Sequence, residues 1–113
     1  MMVMMALLAA RPEKRGELVH SVRSLLGEIR RQEGCLGCFL GQDVEAETSL
    51  LLSSVWDTRD SFDGHLRSDL FGALLGASSL LAAPVEIRFS AAGSAGFTEV
   101  IERARRQALG SAP

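Results

Sequence analysis

Met2 to Ala10 carries no polar side chain. Its alternating faces, Met2, Met4, Ala6 and Leu8 on one side and Val3, Met5, Leu7 and Ala9 on the other, are both apolar. A strand with that pattern is expected to be covered on both sides. In a chain of 113 residues the second cover is expected from another subunit. From Pro12 the period changes. Leu18, Val22, Leu25, Leu26 and Ile29 fall on one helical face, predicting an amphipathic helix of about five turns. Pro12 and Glu13 suit its start, Arg30 and Arg31 its C-terminus, and Gly34 the position just past the end. His20 falls off the apolar stripe, on the solvated side.

Alternation returns at Cys35 to Gln42, a second strand. Asp43 to Thr48 is a polar turn, and Ser49 to Trp56 is a third strand that completes a hairpin. Leu50, Leu52, Ser54 and Trp56 share one face of that strand. Asp57 or Thr58 caps a short helix that runs to about Leu66, with Phe62, His65 and Leu66 pointing the same way. Ser68 or Asp69 caps a longer one with a wide apolar stripe through Leu70, Phe71, Leu74 and Leu81, and Pro84 stops it. Val85, Ile87 and Phe89 then alternate with Glu86, Arg88 and Ser90, a fourth strand with one polar face. Ala91 to Gly96 reads as a linker, and Phe97 to Leu109 as a last amphipathic helix. The order is βαββααβ plus a C-terminal helix. It predicts a ferredoxin-like α+β fold with a four-stranded antiparallel sheet over residues 1–92, followed by linker and helix over 93–113.

Composition narrows the function classes. Hydrophobic residues make up 47% and charged residues 23%, and the net charge is -2. That balance offers no footprint for nucleic acid or an anionic membrane. The N-terminal apolar run lacks the basic flank of a signal peptide, and the longest uncharged run, Leu70 to Val85, is too short to span a bilayer. A cytoplasmic protein is expected. Cys35 and Cys38 form a lone CxxC that enters a strand instead of opening a helix, and no second ligand pair accompanies it. Two small buried thiols are expected there, and no metal.

Specific phrases then match a known family. They are Ala10 to Lys14 opening the first helix, Glu33 to Gly37 entering the second strand and Asp43 in the hairpin. They continue through Val55 to Phe62, His65 to Phe71 and the strand ending at Phe89. Over residues 2–90 the chain resembles the antibiotic biosynthesis monooxygenase superfamily, whose members are dimeric ferredoxin-like α/β-barrel proteins and include quinol monooxygenases. The resemblance implies a homodimer, an apolar cavity, and oxidation of a quinol or polyketide-like aromatic by molecular oxygen without metal or flavin. It implies His65 as base or hydrogen-bond donor, Trp56 as an indole N–H and stacking face, Phe39, Phe62, Phe71 and Leu74 as cavity lining, and Arg88 as an anion contact. Two departures accompany it. The chain has no Asn and no Tyr, residues on which well-studied oxygenase members lean. Leu75 stands where heme-degrading relatives carry an iron-ligating His, which argues against heme degradation. The alternative is a non-catalytic dimeric module that binds a small apolar ligand or a partner protein.

Overall fold

A computed structural model describes residues 1–91 and 97–110. Four strands, β1 (Met2–Ala9), β2 (Cys35–Asp43), β3 (Ala46–Trp56) and β4 (Glu86–Ala91), form one antiparallel sheet in the order β2-β3-β1-β4. The helices are α1 (Arg15–Arg30), α2 (Arg59–Leu66), α3 (Asp69–Gly76) and α4 (Phe97–Gly110). Two strand-helix-strand halves interleave so that β1 and β3 lie at the centre, the arrangement of a ferredoxin-like α+β fold. The linker expected at Ala91 to Gly96 lies outside the described residues, except that Ala91 closes β4.

One sheet face carries the core. Met2, Met4, Ala6 and Leu8 of β1 and Leu50, Leu52, Ser54 and Trp56 of β3 are buried against Leu18, Val22, Leu26 and Ile29 of α1. These are the positions that strand and helix periodicity select. The opposite face is open in the single chain. There Phe39, Ser53, Met5 and Arg88 pair in one row across β2-β3-β1-β4, flanked by Val3, Leu7, Leu51 and Val55. Met5 is 41% exposed, Leu7 39% and Phe39 61%, so one copy leaves an apolar sheet face uncovered.

Three boundaries differ from expectation. The six-residue polar turn is shorter: β2 and β3 extend until Asp43 pairs with Ala46, which leaves only Val44 and Glu45 between them. The Glu45 N–H donates to Asp43 Oδ1 at 2.8 Å, an Asx turn that lets the ladder run further than polarity alone predicts. The long helix expected to run to Pro84 ends at Gly76, and a 3-10 turn follows over Ala77–Leu80. Leu81 is then extended and bridges Ala10, with Arg11 N–H donating to Leu80 O and Ala82 N–H to Ala9 O. Two backbone bonds to the end of β1, together with the helix-weakening Gly72, Gly76, Ser78 and Ser79, outweigh the apolar stripe. The first helix likewise opens with a 3-10 turn, Pro12–Lys14, before α1 begins.

Candidate functional site

The chemistry-bearing residues meet where β3 ends and α2 begins. Trp56 is fully buried, the last residue of β3. Thr58 caps α2 by accepting from the Ser61 N–H, and this two-turn helix aims Phe62 and His65 inward. The His65 carbonyl accepts from both the Ser68 N–H and the Ser68 hydroxyl, while Ser68 Oγ accepts from the Phe71 N–H and caps α3. The corner between the helices is therefore pinned at His65 itself, and Phe71 is delivered beside it.

The result is an aromatic stack. The His65 ring lies 4.5 Å from Trp56, inclined by 23°, and meets Phe71 edge-on at 5.4 Å. Phe62 packs at 5.7 Å from Phe89 of β4. His65 is 2% exposed, and burial holds its imidazole below the ordinary value of 6.5. A helix end favours a cationic His, but two turns of helix do not offset the lost hydration.

Hydrogen bonds assign the polar atoms. Trp56 Nε1–H donates to Ser54 Oγ at 3.0 Å, so the indole N–H is committed within the core. His65 Nδ1 lies 2.6 Å from Gln32 Oε1, and Nε2 has no partner among the described residues. Gln32 sits in the turn after α1, and Gly34 of that turn has φ +79. A Cβ on Gly34 would strike Ser61 and Asp57, and the Asp57 N–H donates to Gly34 O at 2.9 Å. Only glycine allows this close approach, which locks the turn bearing Gln32 onto the helix bearing His65.

Phe71 also forms part of a cavity wall. A cavity of about 50 Å³ lies between the sheet and α1 and α3, lined by Met4, Leu52, Phe71, Leu74, Leu81 and Ile87 among others. Its lining is almost wholly apolar. His65 itself lines not this cavity but a polar surface cleft, with Gln32, Glu33, Asp60, Ser61 and Gly64.

The sequence-predicted residues thus divide. Trp56, His65, Phe62 and Phe71 come together, and Leu74 lines the cavity beside Phe71. Leu75 lines it too, an apolar side chain that offers no ligand to iron. Phe39 and Arg88 do not join them: both lie on the open sheet face, Phe39 beside a groove with Arg15, Arg23 and Arg30, and Arg88 at 3.9 Å from Glu86. Cys38 is buried and Cys35 half-buried, and neither is disulfide-bonded. Burial, with Cys35 nearby, pushes the Cys38 thiol up to about 11, so it is protonated and a poor nucleophile at neutral pH. Among the described residues there is no metal-binding group of three His, Cys, Asp or Glu side chains, and no helix long and apolar enough to cross a membrane. Sequence reasoning missed Gln32 and the cavity residues Leu81 and Ile87. Ser54 was detectable, because a hydroxyl among Leu50, Leu52 and Trp56 requires a buried partner.

Residues 1–76 match the family model for antibiotic biosynthesis monooxygenase. The chain belongs to the antibiotic biosynthesis monooxygenase family. No curated protein matches the sequence significantly. Solved structures agree on the fold. A conserved protein from Methanosarcina mazei is 28% identical, with TM-score 0.77 over 81% of this chain and 92% of its own. A protein of Deinococcus radiodurans, provisionally assigned as an antibiotic biosynthesis monooxygenase, is 22% identical, with TM-score 0.78 over 85% of this chain and 96% of its own. A Mycobacterium tuberculosis protein is 21% identical, with TM-score 0.76 over 84% and 97%. The family assignment supports a monooxygenase-like or small-molecule-binding role, and in this member the residues around the cavity are those just described.

Proposed function

We propose that this family member is a monooxygenase that takes an electron-rich aromatic, a quinol or polyketide-like anthrone, into the cavity behind Phe71 and oxidises it with molecular oxygen. The carrying observation is His65: buried, held at Nδ1, unpartnered at Nε2, and one ring removed from an apolar cavity. A depressed pKa keeps the imidazole neutral, hence basic, at neutral pH. In the proposed reaction of an anthrone, His65 Nε2 removes a proton from the methylene carbon between the aromatic rings, leaving a carbanion stabilised as the enolate. The carbanion gives two electrons to oxygen and forms a C–O bond. The resulting peroxide anion takes the proton back from His65 to become the hydroperoxide, which loses water and leaves a new carbonyl. One oxygen atom enters the product and the other leaves as water, with the substrate as the sole reductant. The low-dielectric lining favours this step by excluding water from the carbanion.

The functional unit in this reading is a homodimer. Val3, Met5, Leu7, Phe39, Leu51 and Val55 form an apolar surface on the open sheet face, and a symmetric copy would cover it. Phe39 and Arg88 would then be interface residues instead of cavity residues.

One observation favours a second reading, a non-catalytic dimeric module for a small apolar ligand. The cavity holds about 50 Å³. An apolar cavity of roughly 150 Å³ is what accommodates benzene. A quinol enters only if Phe71 and its neighbours move. An oxygen electrode with a panel of quinols and anthrones separates the two. Uptake above the buffer rate, with one atom of labelled oxygen in the product, supports the oxygenase. Saturable ligand binding without uptake supports the module.

A further inference from the structure

The environment of His65 assigns a task to a residue that neither pattern nor motif singles out. Gln32 Oε1 stands 2.6 Å from Nδ1. An amide oxygen only accepts, so Nδ1 must carry the hydrogen. Nε2 is then a bare lone pair. His65 borders the polar cleft together with Gln32, and among the described residues no protein group meets Nε2. In water the neutral imidazole favours the opposite tautomer, with the hydrogen on Nε2. The tautomer in this protein is thus one that the fold imposes.

We infer that Gln32 is a positioning residue that holds His65 in the Nδ1–H tautomer and so makes Nε2 a base and not a donor. The inference deepens the proposed oxygenase reading and rests on it for the word base. The tautomer itself stands on geometry alone. Three features support the assignment. Gln32 is half-buried and fixed by the Gly34 contact with α2, so it is not a wandering surface side chain. Trp56 and Phe71 confine the ring on its face and edge, so it cannot rotate freely to present the other nitrogen. Glu33 and Asp60 also border the cleft but are exposed, and among the described residues only Gln32 is within hydrogen-bond distance of the ring.

The test does not need a substrate. With nitrogen-15-labelled histidine, two-bond nitrogen-proton correlation spectra report the tautomer of each ring. The chain has only two His, and the exposed His20 serves as the internal reference for the solution tautomer. Wild-type His65 above its pKa is expected to show Nδ1 protonated and Nε2 bare. Gln32→Ala is expected to return His65 toward the His20 pattern. Gln32→Glu keeps the shape and supplies a carboxylate, which should retain the Nδ1–H tautomer and raise the His65 pKa by about one unit. A wild-type ring protonated at Nε2, or an unchanged pattern in Gln32→Ala, overturns the inference. If a quinol is turned over, Gln32→Ala should lower kcat with KM little changed, and Gln32→Glu should move the acid limb of the pH profile upward. If no quinol is turned over, the oxygenase reading fails, and the spectra still decide what Gln32 does.

Discussion

Trp56 and His65 lie face to face, their ring centroids 4.5 Å apart. One closes a strand and the other lies in the last turn of a two-turn helix, nine positions later. The pair joins sheet to helix beside Phe71, which lines the cavity. Each ring has one nitrogen engaged, Trp56 with Ser54 and His65 with Gln32, and only His65 keeps a second nitrogen unpartnered among the described residues. In the proposed reaction this asymmetry gives the base's part to His65 and the platform's to Trp56.

Burial of His65 makes stability depend on pH in a definite direction. Its folded-state pKa is below the unfolded value of 6.5, so the unfolded chain binds the proton first. The contribution is complete above that unfolded value and is lost as pH falls from it toward the lower folded pKa. Within that window the slope for one proton cannot exceed about 1.4 kcal/mol per pH unit. Denaturant midpoints measured between pH 8 and pH 5 should hold steady and then fall, and His65→Phe should flatten the fall. Parallel curves for the two proteins would show that His65 is not the titrating group.

The Trp56–Ser54 bond should be visible in a double-mutant cycle. Ser54→Ala leaves a buried indole N–H without an acceptor and is expected to cost about 1–3 kcal/mol. Trp56→Phe removes the donor along with part of the ring. If the bond couples them, the double variant will be less destabilised than the sum of the singles, by at least about 0.5 kcal/mol. Urea unfolding of the four proteins measures this, and strict additivity would refute the coupling.

Gly34→Ala tests the lock between the two turns. The substitution forces a side chain into φ +79 and against Ser61 and Asp57. Steric strain and displacement together should cost about 2 kcal/mol or more. The expected secondary effect is loss of the Gln32–His65 contact, seen as a change in the His65 ring resonances. Gly64→Ala, which meets nothing within 4 Å, is the control and should leave those resonances in place.

For the open sheet face, Leu7→Glu places a charge in the centre of the apolar surface shared with Met5 and Leu51. Wild type is expected to elute as a dimer at micromolar concentration and Leu7→Glu as a monomer, by light scattering. A monomeric wild type would remove the homodimer from the account.

Much of the fold was legible because apolar spacing changes at each element. The stripe Leu18, Val22, Leu26 and Ile29 and the alternation Met2, Met4, Ala6 and Leu8 are buried as periodicity predicts. The failures came where backbone bonds decide against side-chain pattern. Nothing in Leu81 announces that it leaves the helix to bridge Ala10, and nothing in Val44 or Glu45 announces a turn of two residues. The site was half legible. Trp56 and His65 were visible as rare residues on inward faces. Gln32 was not, because it is one polar residue in a turn and meets His65 across 33 positions of sequence. Phe39 shows the limit of strand pattern from the opposite side. An aromatic in a strand reads as lining, and only the pairing Phe39 with Ser53 places it on the open face.

The most direct measurement is oxygen consumption with a quinol or anthrone by wild type and His65→Ala, the fold of each checked by Trp56 fluorescence. General-base catalysis of this kind contributes roughly 100- to 10,000-fold. Wild-type uptake that falls by at least about 100-fold in His65→Ala, with substrate affinity largely kept, is the predicted result. Equal rates in both proteins would contradict the assignment of His65 as the base.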